Sequence, residues 1–97
     1  MTAYLIVFAR VDDSGPFMKY VDAVQPLIAH WGGKLIARGV PPVVLEGEWP
    51  WHTVGVLAFP SMEAAQGFWD SPEYAEVKAL RAGNSQFQVV LAPANPG

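Results

Sequence analysis

Two kinds of apolar periodicity alternate along this chain, and their order leaves few folds open. Runs of strand length, rich in β-forming residues, occupy residues 4–11, 34–38, 54–59 and 87–92. Apolar residues recur at helical spacing between the first two runs, and again between the last two. The order β-α-β-β-α-β predicts an α+β, ferredoxin-like fold with a four-stranded antiparallel sheet. A chain of 97 residues is expected to form one domain, over residues 1–97.

Cap and turn residues set the expected helix boundaries. Asp13 can cap the first helix, Gly32 and its neighbour are expected to end it, and Pro26 is expected to kink it. Ser61 is expected to cap the second helical pattern, and Ser71 to restart it. The bend at residues 39–42 is expected to lead back into extended structure at residues 43–46. Residues 34–38 and 43–46 would then form one long strand that is broken or bulged.

The first and third strands are apolar on both faces, because side chains alternate along a strand. In the first strand Tyr4, Ile6 and Phe8 share one face, and Leu5, Val7 and Ala9 share the other. The helices of this fold cover one face, and four strands project roughly 300 Å² on the other. Hiding that area contributes about 8 kcal/mol per chain, or ~16 kcal/mol for two chains, against an association cost of roughly 4–15 kcal/mol. The pattern predicts a homodimer through the open sheet face, with an apolar-faced monomer as the alternative.

Composition excludes several classes of function. The six Lys and Arg residues are scattered and the net charge is −3, so nucleic-acid binding is not expected. The chain has no cysteine and two distant histidines, so neither a metal site nor a cofactor is expected. No apolar run approaches the ~20 residues of a membrane span, and no basic leader precedes the first strand. We therefore expect a cytoplasmic protein without a membrane partner.

The densest group of candidate functional residues lies in the stretch LEGEWPWH, residues 45–52. Glu46 and His52 form a candidate catalytic pair, because histidine transfers protons near neutral pH. Trp49 is a candidate wall of a ligand site. The alternatives are a solvated turn for the charged residues and an interface anchor for the tryptophan.

Four further side chains are candidate ligand contacts. Arg38 ends a strand and Arg81 ends a helix, where a guanidinium can clamp a carboxylate through two hydrogen bonds. Trp69 and Tyr74 lie around the break in the second helical pattern and offer a ring and a hydroxyl. Ion pairs with acidic neighbours and ordinary packing are the alternatives for these residues.

The segments AHWGGKLIARG, VVLEGEW and VLAFPSMEAAQGFWDSPEYAEVKALR resemble the domain of unknown function 1330 family, over about Tyr4 to Leu91. Arg38 and Arg81 fall on positions of the family pattern. Lys34 departs from it, because the family usually has arginine there, and so does the stretch at residues 40–42, which often holds a second glycine. A lysine cannot make the bidentate contacts of an arginine.

The family belongs with the dimeric α/β-barrel superfamily, so the resemblance implies the same homodimer. Its relatives include cofactor-independent monooxygenases, isomerases, decarboxylases, haem-dependent enzymes and ligand-binding modules, and fold alone does not choose among them. The first hypothesis is a small-molecule-binding protein, a candidate cofactor-independent enzyme for a small oxygen-bearing substrate, with its pocket between sheet and helices. The second is a non-catalytic binding or regulatory module, and the third a structural partner in a larger assembly.

Overall fold

The computed structural model describes residues 2–39, 42–83 and 85–95. In chain order its elements are β1 (Ala3–Val11), α1 (Ser14–His30), β2 (Lys34–Gly39), β3 (Thr53–Phe59), α2 (Met62–Asp70), α3 (Pro72–Ala79) and β4 (Ser85–Pro93). The strands form one antiparallel sheet in the order β2-β3-β1-β4. The predicted α+β, ferredoxin-like fold is confirmed, with the second helical pattern divided into two helices.

The expected cap residues lie at the ends of α1. Asp13 precedes α1, and its Oδ1 accepts a hydrogen bond of 3.1 Å from the backbone N–H of Gly15. After the helix, Gly32 adopts a φ of 80°, a left-handed conformation that glycine takes without a steric cost. Pro26 lies inside α1 without ending it.

Ser71 joins α2 to α3 by serving both helix ends. Its Oγ accepts a hydrogen bond of 3.1 Å from the backbone N–H of Tyr74, the N-cap interaction of α3. The same hydroxyl donates to the carbonyl oxygen of Phe68 at 2.9 Å, in the last turn of α2. Ser71 is buried, so these contacts satisfy a polar group that water does not reach.

One layer of core lies between the helices and one face of the sheet, which we call the helix-covered face. The sheet contributes Leu5, Leu57 and Phe59, and the helices contribute Val24, Ile28, Ala65, Phe68 and Tyr74. The ring of Trp31, the residue that follows α1, packs closely on α2 at Gly67, where an added Cβ would lie 2.6 Å from the ring. The predicted alternation therefore directs Leu5, rather than Tyr4 or Ile6, into this core.

The segment between β2 and β3 differs from the expectation. Residues 43–46 were expected to continue a bulged strand, but residues 42–52 are irregular and join no ladder. The observed irregularity in strand register lies earlier, between Leu35 and Ala37. Val40 and Pro41, part of the expected bend, lie outside the described residues. The chain bends at Glu46 and Gly47, where Gly47 has a φ of 83°.

Candidate functional site

The β2–β3 arm, residues 42–52, lies against the face of the sheet that the helices leave open. The ring of Trp49 contacts Phe8 edge-on, with centroids 5.0 Å apart, and Trp51 lies 6.3 Å from the same ring. Arg10 donates from Nε to the carbonyl oxygen of Pro50 at 3.2 Å. These contacts hold the C-terminal half of the arm to β1, because Phe8 projects from the open face.

The candidate catalytic residues lie on this arm and face solvent. His52 has an exposed side chain, and its backbone N–H donates to the carbonyl oxygen of Ala9 at 2.9 Å. Glu46 is exposed and borders an open groove of about 420 Å³ between the arm and β3. The groove is lined by Pro42, Val43, Val44, Leu45, Glu46, Trp49 and Val54. Within the described residues no hydrogen bond joins Glu46 to His52, so the structure does not present them as a proton-transfer pair.

A second, smaller cavity of about 180 Å³ lies between α2 and the β1–β4 edge of the sheet. Its lining residues are Leu5, Gln66, Trp69, Val89, Val90 and Leu91. Gln66 supplies the polar group, and its Nε2 donates to Oδ2 of Asp70 at 3.0 Å. The side-chain carbonyl of Gln66 is therefore available to accept a hydrogen bond from a bound molecule.

Behind one wall of this cavity lies a buried cluster of aromatic rings around Arg81. The ring of Trp69 is 5.1 Å from that of Tyr74, whose hydroxyl accepts a hydrogen bond of 3.2 Å from Nη2 of Arg81. The guanidinium carbon lies 3.8 Å from the ring centre of Phe87 and 5.2 Å from that of Tyr20. Cation–π contacts thus stabilise an arginine that is 8% exposed.

The charge of Arg81 is balanced by rings and hydroxyls rather than by a carboxylate among the described residues. Its Nε is buried and has no hydrogen-bond partner in that part of the chain. The hydroxyls of Tyr20 and Tyr74 share a hydrogen bond of 3.0 Å. Burial, reinforced by Tyr74, raises the pKa of Tyr20 far above its usual value, although Arg81 opposes the shift. The phenol of Tyr20 therefore keeps its proton across the ordinary pH range.

The structure divides the seven predicted site residues between two regions. Trp69, Tyr74 and Arg81 are connected through ring contacts and one hydrogen bond behind the cavity under α2. The other four, Arg38, Glu46, Trp49 and His52, lie on β2 and the β2–β3 arm. The expected single pocket between sheet and helices does not gather them, because neither described cavity borders residues from both groups.

Sequence reasoning missed three residues that the structure places beside the candidates. Tyr20 and Phe87 flank Arg81, and Gln66 supplies the polar wall of the cavity. Tyr20 lies at an apolar position of the first helical pattern and Phe87 at a strand position, and core residues show the same pattern. Gln66 and Trp69 are three residues apart on one helix, and this spacing could have predicted that their side chains lie on the same face.

No metal centre is assembled in the described ranges, where no group of three histidine, aspartate or glutamate side chains is placed to ligate an ion. Among the helices that the structure describes, none is long and apolar enough to cross a membrane.

Solved structures share this fold at low sequence identity. A protein of unknown function from Rhodopseudomonas palustris superposes with a TM-score of 0.81 at 18% identity, covering 98% of this chain and 84% of that one. A dimeric ferredoxin-like protein of unknown function from Thermobifida fusca gives 0.64 at 16% identity, covering 97% and 92%. SnoaB, a cofactor-independent oxygenase from Streptomyces nogalater, gives 0.61 at 10% identity, covering 99% and 95%.

Comparison of the sequence with known families identifies the family of this chain. No curated protein matches the chain. The family model described as "Domain of unknown function (DUF1330)" matches residues 2–95, nearly the whole length. The motifs around Gly32, Glu46 and Ser71 lie within that match, and the chain belongs to this family.

Proposed function

We propose that the chain is a homodimeric small-molecule-binding protein, which pairs through its open sheet face and holds a ligand in the cavity under α2. Ligand binding is supported by the cavity of about 180 Å³ that Gln66 and Trp69 border. Dimer formation is supported by the open sheet face, from which apolar side chains of β1 and β3 project away from the helices.

The fold of solved relatives supports the dimer. The Thermobifida fusca protein is described as dimeric, and so is a ferredoxin-like protein from Jannaschia. In this chain Ile6 and Val56 stand opposite each other at the centre of the open face, and neither belongs to the core cluster. A second copy would remove both from water, which stabilises the pair.

The cavity under α2 favours a small, largely apolar ligand with one hydroxyl group. Its volume corresponds to about six water molecules. Five of its six lining residues are apolar, and the ring of Trp69 forms one wall. The free carbonyl of Gln66 would accept a hydrogen bond from the ligand hydroxyl.

Binding without turnover is the form of this function that the geometry favours. Neither His52 nor Glu46 borders the cavity, and its lining has no acid or base. The likeness to SnoaB keeps a cofactor-independent oxygenase as the second candidate, because SnoaB uses the same fold. Oxygen consumption in the presence of a bound ligand would favour this second candidate.

Native mass spectrometry of freshly purified protein tests both halves of the proposal. We expect a species of twice the 10.5 kDa chain mass that carries additional small-molecule mass. A 10.5 kDa species alone in sedimentation at low micromolar concentration contradicts the dimer.

Nuclear magnetic resonance with benzyl alcohol and cyclohexanol as probes tests the cavity directly. We expect shifts of the Gln66 side-chain amide and the Trp69 indole N–H. The Val89→Phe variant fills the cavity and should abolish these shifts, whereas Ala75→Phe adds the same ring at an exposed site of α3 and should preserve them. Wild-type spectra that stay unchanged, together with the absence of retained mass, contradict ligand binding.

A further inference from the structure

We infer that the β2–β3 arm forms part of the contact between two copies of this chain, with Leu45 buried against the second copy. The inference rests on the proposed homodimer and adds a named segment to its interface.

The arm exposes more apolar surface than any other short segment among the described residues. Leu45 is 93% exposed, Val43 is 84%, Val44 is 47% and Trp49 is 37%. These four lie within seven consecutive residues, and large apolar side chains rarely cluster in water on a monomer. Scattered single residues need no explanation, but a contiguous group indicates an interaction surface.

The arm is held beside the face where the second copy is proposed to pack. Trp49 and Trp51 lie on the ring of Phe8, a side chain of the open sheet face. Between the arm and Val54, also on that face, an apolar groove of about 420 Å³ lies open. The exposed side chains of the arm and the open sheet face therefore form one continuous apolar surface.

The sheet face alone is small for a stable dimer. Its four strands project roughly 300 Å², whereas a standard interface buries about 800 Å² on each partner. The two most exposed apolar residues of the arm, Val43 and Leu45, add apolar area directly beside it. An interface that includes the arm is therefore larger than the sheet face alone and closer to the standard size.

A second copy fits this surface better than a membrane does. Glu46 and Glu48 lie among the apolar residues of the arm, and the chain carries a net charge of −3. Anionic lipid surfaces attract basic segments and repel acidic ones. A two-fold interface instead places the same patch on both partners, so the apolar surface of one copy covers that of the other.

Thiol accessibility tests the inference, because the natural chain has no cysteine. Leu45→Cys places a single thiol on the arm, and Met18→Cys places one on α1, where Met18 is 48% exposed. With a maleimide reagent and protein well above the dissociation constant, we expect the Leu45→Cys thiol to react about 10-fold more slowly than the Met18→Cys thiol. Dilution below that constant should make the Leu45→Cys thiol the faster of the two.

A second pair of variants measures the same contact through affinity. Leu45→Lys should raise the dimer dissociation constant about 10-fold, because it places a charge in an apolar contact, and Met18→Lys should leave it unchanged. Circular dichroism should match wild type for both, since both positions are exposed.

The outcomes separate this inference from the proposed function. Suppose that wild type is a dimer, that the Leu45→Cys thiol reacts as fast as the Met18→Cys thiol, and that Leu45→Lys keeps the wild-type dimer dissociation constant. The inference about the arm is then wrong, and the proposed dimer stands. If wild type sediments as a monomer, both are wrong. If added anionic vesicles rather than added protein protect the thiol, the arm is a lipid contact, and the inference is wrong.

Discussion

The two faces of the sheet come from the same strands but meet different surroundings. On the helix-covered face Leu5 and Phe59 are 4% and 1% exposed, while Val90 on the open face of β4 is 54% exposed. The strands supply apolar residues to both faces, but the chain has helices for only one. The difference shows that the sequence encodes two apolar layers, one completed by the chain itself and one that it leaves open.

The two faces also differ in which polar side chains they contain and in what those side chains contact. The helix-covered layer contains Arg81 and Ser71, both buried, whose polar atoms are largely held by Tyr74 and by backbone groups. On the open face the charged and amide side chains lie on the two edge strands and at the end of β1, namely Lys34, Gln86, Gln88 and Arg10. The centre of the open face, on β1 and β3, is apolar, which suits contact with a like surface.

The largest difference between the two faces is expected in the free energy of unfolding, when one aromatic ring is removed from each face. Phe59→Ala should lower the free energy of unfolding by about 3–5 kcal/mol, because it leaves a cavity in the core. Phe8→Ala should cost about 1–2 kcal/mol, since it removes ring contacts with the arm but opens no cavity in that core. Urea denaturation in an Ile6→Lys background, which disfavours pairing, measures both. Equal losses for the two variants would show that the open face is already packed within one chain.

The second largest effect is expected on the dissociation constant of the homodimer. Ile6→Lys, at the centre of the open face, should raise the dimer dissociation constant about 100-fold, or about 3 kcal/mol, because a charge is buried without a partner. Sedimentation velocity across a dilution series measures the change. Met18→Lys on α1 serves as the control and should sediment as wild type does. An unaltered dissociation constant in Ile6→Lys would place the interface elsewhere.

The smallest effect comes from the phenol cluster on the helix-covered side. Burial raises the pKa of Tyr20 above its ordinary value of about 10, so the folded chain holds this proton more tightly than the unfolded chain. The free energy of unfolding should therefore fall as the pH rises above about 10, by about 1 kcal/mol over the next pH unit. Tyr20→Phe should lose less stability over that range, as denaturation at several pH values would show. Parallel curves for the two proteins would rule out this titration.

Most of the fold was predictable from short-range signals. The caps at Asp13, Ser61 and Ser71 were read correctly, because each satisfies helix N–H groups within three residues. Alternation along β1 separated its two faces correctly. The segment at residues 43–46 was predicted wrongly, because its β-forming side chains lie exposed outside the sheet and pair with no strand.

The candidate site was less predictable, for a physical reason. The contact of Arg81 with Phe87 joins the turn after α3 to β4, and the contact with Tyr20 joins the same turn to α1. No periodicity in the sequence encodes such pairings across elements. Grouping Arg38, Glu46 and His52 with Arg81 rested on residue type, on their places beside apolar elements and, for the two arginines, on the family pattern. None of these fixes distances across the fold, and neither described cavity joins them.

The shared hydroxyl of Ser71 has a consequence for how the length of this chain can vary. Because one residue ends α2 and begins α3, an insertion at that joint must break a hydrogen bond at one helix end or the other. Residues 42–49 of the β2–β3 arm join no ladder, so residues added there disturb no strand pairing. Length differences between related chains should therefore accumulate in the arm and be rare at the serine. If the arm does contact a second copy, such differences would alter which chains pair while leaving each fold intact.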